Sequence, residues 1–150
     1  LADGTKFLLR FAPEDEVSGG LLTAINGAKE KIRMLAYSFT EDNLGKALNQ
    51  QFRNGVEVTV IFEADKAYSD KGGEAGFLKD QGVKVFLDGS TDALMHEKVL
   101  IIDDSFVAAG SYNFTRSADR FNDEQILFIS STEITSFFIE EFEKILAEAK

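Results

Sequence analysis

The chain holds a single histidine, His96, which opens the string His96-Glu97-Lys98-Val99-Leu100-Ile101-Ile102-Asp103. That string reads H-x-K-x4-D, and Gly110-Ser111-Tyr112-Asn113 follows seven residues later. A neutral imidazole can attack phosphorus, and its ordinary pKa of about 6.5 lets it work near neutral pH. Residues two apart on a strand share a face, so the Lys98 ammonium lies beside the ring and offers charge to a phosphate oxygen. Gly110 permits close backbone approach to a ligand, and the Ser111 hydroxyl and Asn113 amide can donate to phosphate oxygens. Glu124, at the start of a later strand, can accept a hydrogen bond from the other ring nitrogen of His96 and so fix its tautomer. Asp103 lies five residues beyond Lys98 at ~3.3 Å per residue, too far from the reacting phosphorus to be a base. It reads as a turn or ion-pair residue that shapes the site, with Asp104 as its ambiguous neighbour. Taken singly, each has an ordinary reading: a histidine satisfied at a strand start, a solvated lysine, a polar turn, one surface acid among 26. Together their spacing points to phosphoryl transfer.

The elements that must carry these residues follow from periodicity. Residues 6–11, 32–39, 56–62, 83–87, 98–102, 105–109 and 125–130 read as strands, from apolar runs rich in β-branched and aromatic residues. Residues 17–31 space Leu21, Leu22, Ile25 and Ala28 as a helix does. A second helix starts at Thr40 as N-cap, with acids in its first turn, and stops near Asn54-Gly55. Residues 63–76 begin as a loop, 74–81 form a short helix ended by Gly82, and 114–120 are a polar loop or short helix. Asp103-Asp104 is a tight hairpin turn, and residues 88–94 are turn-like. Residues 132–150 close the chain as an amphipathic helix with Ile134, Phe137, Phe138, Phe142, Ile145 and Leu146 facing inward. Strand–helix alternation in the first half favours parallel strands with right-handed crossovers, and the hairpin makes the sheet mixed.

The bulk numbers bound the class. A chain of 150 residues, 44% hydrophobic, fits one domain (1–150) with a real core. No apolar run approaches the length that spans a bilayer. With no cysteine and one histidine, disulfides are excluded and a zinc site is not expected. The net charge of −10 opposes tight binding of a polyanion or an anionic membrane, because nucleic-acid affinity comes largely from neutralised phosphates. The charge is uneven, however, with Glu14, Asp15 and Glu16 clustered early and Glu140, Glu141, Glu143 and Glu148 late, so a substrate channel can still be locally basic. The chain begins at Leu1 rather than Met, and removal of a preceding segment, such as a signal peptide, is one expectation.

H-x-K-x4-D, then G-S-x-N, then an acid resembles the phospholipase D superfamily. The likeness extends to its bacterial endonuclease branch with one motif per chain. There, residues 32–40 resemble the first core strand and residues 110–115 the turn near the motif. The resemblance implies an α/β fold with a mixed, mostly parallel β-sheet flanked by helices. It implies that one motif histidine attacks phosphorus to give a phosphohistidine, and that a second protonates the leaving oxygen and then activates water, without a metal. Carried over, His96 is the nucleophile, Lys98, Ser111 and Asn113 hold phosphate oxygens, Glu124 is the acid, and Asp103 is the structural member of the motif. Gly110, Ser38, Lys66 and Arg116 are expected as further substrate contacts, with Lys71 and Arg120 as other loop cations. Because the chemistry needs two imidazoles and the chain has one, a homodimer with two copies of His96 around one phosphate is expected. The partner implied is nucleic acid, DNA or RNA, with no stable membrane association. Alternatives are a lipid phosphodiesterase acting on cardiolipin-like substrates, and a non-catalytic nucleic-acid-binding module with the same fold. The branch's frequent export gives an extracytoplasmic or periplasmic location as the expectation.

Overall fold

The computed structural model describes residues 4–89 and 93–150. Its elements are β1 (Lys6–Ala12), α1 (Val17–Gly27), β2 (Lys31–Ala36), α2 (Asp42–Arg53), β3 (Glu57–Phe62), α3 (Glu74–Asp80), β4 (Lys84–Leu87), β5 (Lys98–Ile102), β6 (Phe106–Gly110), α4 (Arg116–Arg120), β7 (Glu124–Ser130) and α5 (Thr132–Glu148). The strands form one sheet in the order β1-β7-β6-β5-β2-β3-β4. The β2–β3 and β3–β4 pairs are parallel, and the other four are antiparallel. Five strands therefore run one way and only β5 and β7 are reversed; the sheet is mixed, as expected from the sequence, but with two of its six neighbouring pairs parallel rather than most of them. β1 does not pair with β2 as simple strand–helix alternation suggests. It crosses to the far edge and runs antiparallel to β7, Ala12 facing Glu124.

Helices cover both faces, and strand alternation sorts the core in two. Ile32, Met34 and Ala36 of β2, with Leu100 and Ile102 of β5, pack under α1, α2 and α3 through Leu21, Ile25, Leu44, Leu48 and Leu78. Leu35, Val99, Ile101, Val107 and Ile129 pack under α5 through Phe142, Phe138 and Ile134. Among the described residues no helix is long and apolar enough to cross a membrane.

Four local departures have physical causes. α1 stops at Gly27 rather than reaching Lys31, because the Asp103 carboxylate takes the backbone N–H groups of Lys29, Glu30 and Lys31 at 2.7, 2.8 and 2.8 Å. These residues are thereby committed to the start of β2. β2 stops at Ala36 rather than Phe39, because the chain then turns to lie against the 111–114 segment. Phe39 bridges Phe114, and the N–H groups of Thr40 and Glu41 both donate to the Phe114 carbonyl. That turn makes Glu41, not Thr40, the N-cap of α2, its side chain accepting from the Asn43 N–H at 3.4 Å. Phe137 is 63% exposed rather than inward, lying off the stripe that α5 buries. The Asp103-Asp104 turn forms, with φ of 48° and 53°, both left-handed, but Ser105 belongs to the loop rather than to the next strand, since Ile102 faces Phe106 across the hairpin. Of the turn-like stretch 88–94, residues 90–92 lie outside the described residues.

Candidate active site

Strand direction gathers the chemistry at one end of the sheet. β2, β3 and β6 end there, and β5 and β7 begin there. Residues just past β2 (Tyr37, Ser38), past β3 (Lys66), before and at the start of β5 (His96, Lys98), past β6 (Ser111, Asn113) and at the start of β7 (Glu124) therefore share one rim. Asp103 lies at the opposite end.

The β2–β5 pair makes the first contact. The Tyr37 N–H donates to the Glu97 carbonyl at 3.0 Å, carrying the ladder one step past the strands. This sets the Tyr37 ring edge-on to the exposed His96 ring, with centroids 4.4 Å apart. Lys98 is only 5% exposed, unlike the solvated strand lysine of its ordinary reading. Its ammonium donates to the His96 carbonyl at 2.7 Å and sits 4.7 Å from the Tyr37 ring centre. Burial pulls the Lys98 pKa below its ordinary value, opposed in part by the Glu124 and Glu97 carboxylates. Lys98 makes no ion pair with either, so among the described residues a buried cation stands without a carboxylate partner, close to an exposed imidazole. Sequence reasoning missed Tyr37, although a tyrosine ending an apolar parallel strand was a usable signal.

The β6–β7 end supplies the polar group. The Ser111 hydroxyl donates to Glu124 Oε2 at 2.5 Å and accepts from the Gln125 N–H at 3.1 Å. Asn122 Nδ2 donates to Glu124 Oε1 at 3.2 Å. Both carboxylate oxygens are thus engaged within the 111–125 segment, and the expected bond from Glu124 to the His96 ring is not made within this chain. Asn113 Oδ1 is buried and has no hydrogen-bond partner among the described residues. The turn between is pinned by Tyr112, whose buried hydroxyl donates to Asp119 Oδ1 at 3.0 Å; burial, then the Asp119 charge, pushes its pKa far up.

Three expected substrate contacts are otherwise occupied. A Cβ on Gly110 would lie 2.2 Å from the Gln125 carbonyl and 2.8 Å from Ile126 Cα, so this glycine serves the approach of β6 to β7 rather than a ligand. Arg116 pairs with Asp42 at 2.7 Å and Glu41 at 3.8 Å, tying α4 to the start of α2. Ser38 donates its hydroxyl to Asp70 Oδ2 at 2.5 Å. Lys66 does face the site, 5.8 Å from the Tyr37 ring centre and 3.8 Å from Asp70.

Two depressions flank this rim. One of about 390 Å³ is lined by His96 with four acids, Asp88, Glu97, Glu141 and Glu148, among others. Burial, then the Glu141 charge, raises the Glu97 pKa, while Lys98 works against both. The other, of about 370 Å³, carries Tyr37, Ser38, Lys66, Lys71 and Asn113. Among the described residues, no three His, Asp or Glu side chains converge as a metal site.

A family model described as "Cardiolipin synthase, PLD-like domain" matches residues 21–146. The mouse mitochondrial cardiolipin hydrolase is 33% identical over 128 residues, 85% of this chain and 57% of that protein. The chain spans about half the length of the curated relatives it matches. The crystal structure of a phospholipase D family member, Nuc from Salmonella typhimurium, superposes with a TM-score of 0.89 at 27% identity, covering 97% of each chain. NucT from Helicobacter pylori superposes with a TM-score of 0.88 at 26% identity, covering 97% of this chain and 98% of its own.

Proposed function

The chain belongs to the phospholipase D-like family, and from that premise we propose that it is a metal-independent phosphodiesterase that hydrolyses nucleic acid through a covalent phosphohistidine. The observation that carries this reading is the buried Lys98 ammonium, unpaired by carboxylate among the described residues and sharing the Tyr37 ring with the exposed His96. An unpaired buried cation is costly, and a phosphate oxygen is the partner that satisfies it.

The reaction runs in two balanced steps. A His96 ring nitrogen attacks phosphorus and forms an N–P bond as the bond to the leaving oxygen breaks; a second imidazole gives that oxygen its proton. Water then attacks the phosphohistidine, loses a proton to the second imidazole, and releases His96 with the phosphate product. Lys98 and the Asn113 side-chain amide hold the non-bridging oxygens while charge develops on them, and Ser111, whose one hydroxyl hydrogen goes to Glu124, orders the turn that carries Asn113. The chain has one histidine, so the second imidazole comes from a second copy, and the active form is a homodimer with its axis through the site. An uncovered apolar edge supports assembly. Phe7, Leu9 and Phe11 share one face of edge strand β1, each about half exposed, and the strand runs up to Glu124. Apolar edges of this kind are normally covered.

Overlap with two bacterial chains along nearly their whole length supports the nucleic-acid reading. The second reading, a lipid phosphodiesterase, is favoured by the names of the family model and of the mouse relative. A panel of single-stranded DNA, duplex DNA, RNA and cardiolipin vesicles, run in excess chelator on wild type and His96→Asn, tests both. Wild type is expected to cleave nucleic acid, and His96→Asn to lose at least ~1,000-fold, the loss of the nucleophile. Wild-type rates in His96→Asn, or strict dependence on added metal, would refute the mechanism. A fully active monomer in sedimentation would refute the shared site, and cleavage of cardiolipin alone would move the substrate to lipid.

A further inference from the structure

We propose that the depression lined by Tyr37, Ser38, Lys66, Lys71, Asn113 and Thr115 is a subsite for a second phosphate of a polynucleotide substrate, next to the scissile one. The proposal rests on the phosphodiesterase reading above and deepens it.

Three observations carry it. First, the depression shares its wall with the reacting centre. Tyr37 lines it, and the same ring faces His96 at 4.4 Å and the Lys98 ammonium at 4.7 Å. The Lys66 ammonium stands 5.8 Å from that ring, so one aromatic side chain separates the motif cation from the subsite cation. Second, the lining suits an anion bearing hydroxyl groups. Lys66 and Lys71 supply two positive charges against the single carboxylate of Asp70, which already accepts the Ser38 hydroxyl and lies 3.8 Å from Lys66. Thr40, Thr115 and Ser117 add hydroxyl donors. The Asn113 carbonyl, buried and unpartnered, is an acceptor for a hydroxyl or amino group of the substrate. Third, the opposite flank of His96 has the contrary charge. Its depression holds Asp88, Glu97, Glu141 and Glu148 and no lysine or arginine. A polyanion crossing His96 is repelled on that side and held on this one, so the local field orients the strand although the chain as a whole carries −10.

Substrates that differ only in the second phosphate read this site. Kinetics on TpT, pTpT and TpTp compare one internal diester alone with the same diester carrying a terminal phosphate on either side. In wild type, one of the two phosphorylated dinucleotides is expected to exceed TpT in kcat/KM by roughly tenfold, through KM, the scale of one modest charge contact. In Lys66→Ala/Lys71→Ala that ratio falls to about one, and in Lys66→Arg/Lys71→Arg it is largely retained, since the charge is kept. Equal kcat/KM for all three dinucleotides in wild type, or a ratio unaltered in the alanine pair, overturns the subsite while leaving the phosphodiesterase reading intact. Cleavage of none of the three by wild type overturns that reading, and the subsite with it. A parallel arm compares cardiolipin with phosphatidylglycerol in mixed micelles. If the alanine pair loses a preference for the two-phosphate lipid but keeps the dinucleotide ratio, the site serves lipid and the nucleic-acid assignment is wrong.

Discussion

Replacing Asp103 tests whether the last member of the H-x-K-x4-D pattern works by structure or by chemistry. Its carboxylate accepts the N–H groups of Lys29, Glu30 and Lys31, and its own N–H donates to the Lys31 carbonyl at 2.9 Å. It thus clamps the end of the β2–β5 ladder opposite Tyr37 and His96, about 17 Å from Lys98 at ~3.4 Å per residue. Hydrogen bonds to a charged group contribute about 1.5–3 kcal/mol each when buried, and less here because water reaches this turn. Asp103→Ala also places alanine at φ 48°, a strain of about 1–2 kcal/mol. We expect a total loss of about 3 kcal/mol for Asp103→Ala and roughly half that for Asp103→Asn, which tolerates the left-handed region and keeps one acceptor oxygen. For a domain of this size about 3 kcal/mol lowers Tm by roughly 6–12 °C. The loss should depend on pH. Burial raises the Asp103 pKa, but the three N–H bonds outweigh it and hold the carboxyl below its usual range. A depressed folded pKa stabilises above the unfolded value of about 3.9 and ceases to as pH falls through the folded one. The gap between wild type and Asp103→Ala in urea midpoints should therefore be full at pH 7 and narrow below about pH 4. Activity per folded molecule should fall far less than in His96→Asn. A variant with unchanged stability but activity lowered more than 100-fold would place Asp103 in the chemistry and refute this account.

Three further outcomes follow from the site. Tyr37→Leu removes the ring that faces His96, Lys98 and Lys66, and contacts of that kind total about 2 kcal/mol, so kcat/KM should drop roughly 30-fold. Tyr37→Phe keeps the ring and should stay much closer to wild type; equal losses in the two variants would show that the hydroxyl matters instead. Gly110→Ala drives a methyl group into the β7 backbone and should cost about 2–3 kcal/mol in thermal or urea unfolding, whereas a neutral change would show that β6 can move away. Because burial favours neutral Lys98, wild-type activity should fall on the alkaline side below the ordinary lysine pKa of about 10.4. Lys98→Arg, at whatever rate it retains, should lose that limb in a pH profile; persistence of the limb would assign it to another group.

The motif was legible because strand periodicity is local. Lys98, Ser111 and Glu124 sit where an apolar run starts or stops, and those boundaries moved by at most a residue or two. What was not legible depended on partners distant in sequence. α1 ends early because of a carboxylate more than 70 residues away, and α2 is capped by Glu41 because Phe114 claims the preceding N–H groups. Nothing within residues 6–12 says that this strand crosses to the far edge to pair with β7. Isolated cations were the least legible, since a lysine in a loop reads the same whether it meets Asp42, Asp70 or water. Arg116 proved to be engaged by α2, and Lys66 to face the site.

Topology supplies the signal that composition lacks. In sheets with parallel strands, ligands gather beyond the strands' carboxyl ends. β2 and β3 are parallel neighbours, so Tyr37 and Ser38 after one and Lys66 after the other were bound to arrive at the same rim. The reversed strands β5 and β7 start at that rim and bring His96, Lys98 and Glu124 to it from the opposite direction. A lone histidine placed there has Lys98 and the Lys66–Lys71 depression of its own chain on one flank and four acids on the other, and no second imidazole on either. The remaining uncovered apolar surface of β1 runs up to Glu124 on the same rim. The proposed homodimer answers both the missing imidazole and the uncovered edge with one partner. Replacing Phe7 and Phe11 by lysine should therefore abolish sedimentation as a dimer and activity together, and loss of either without the other would break that link.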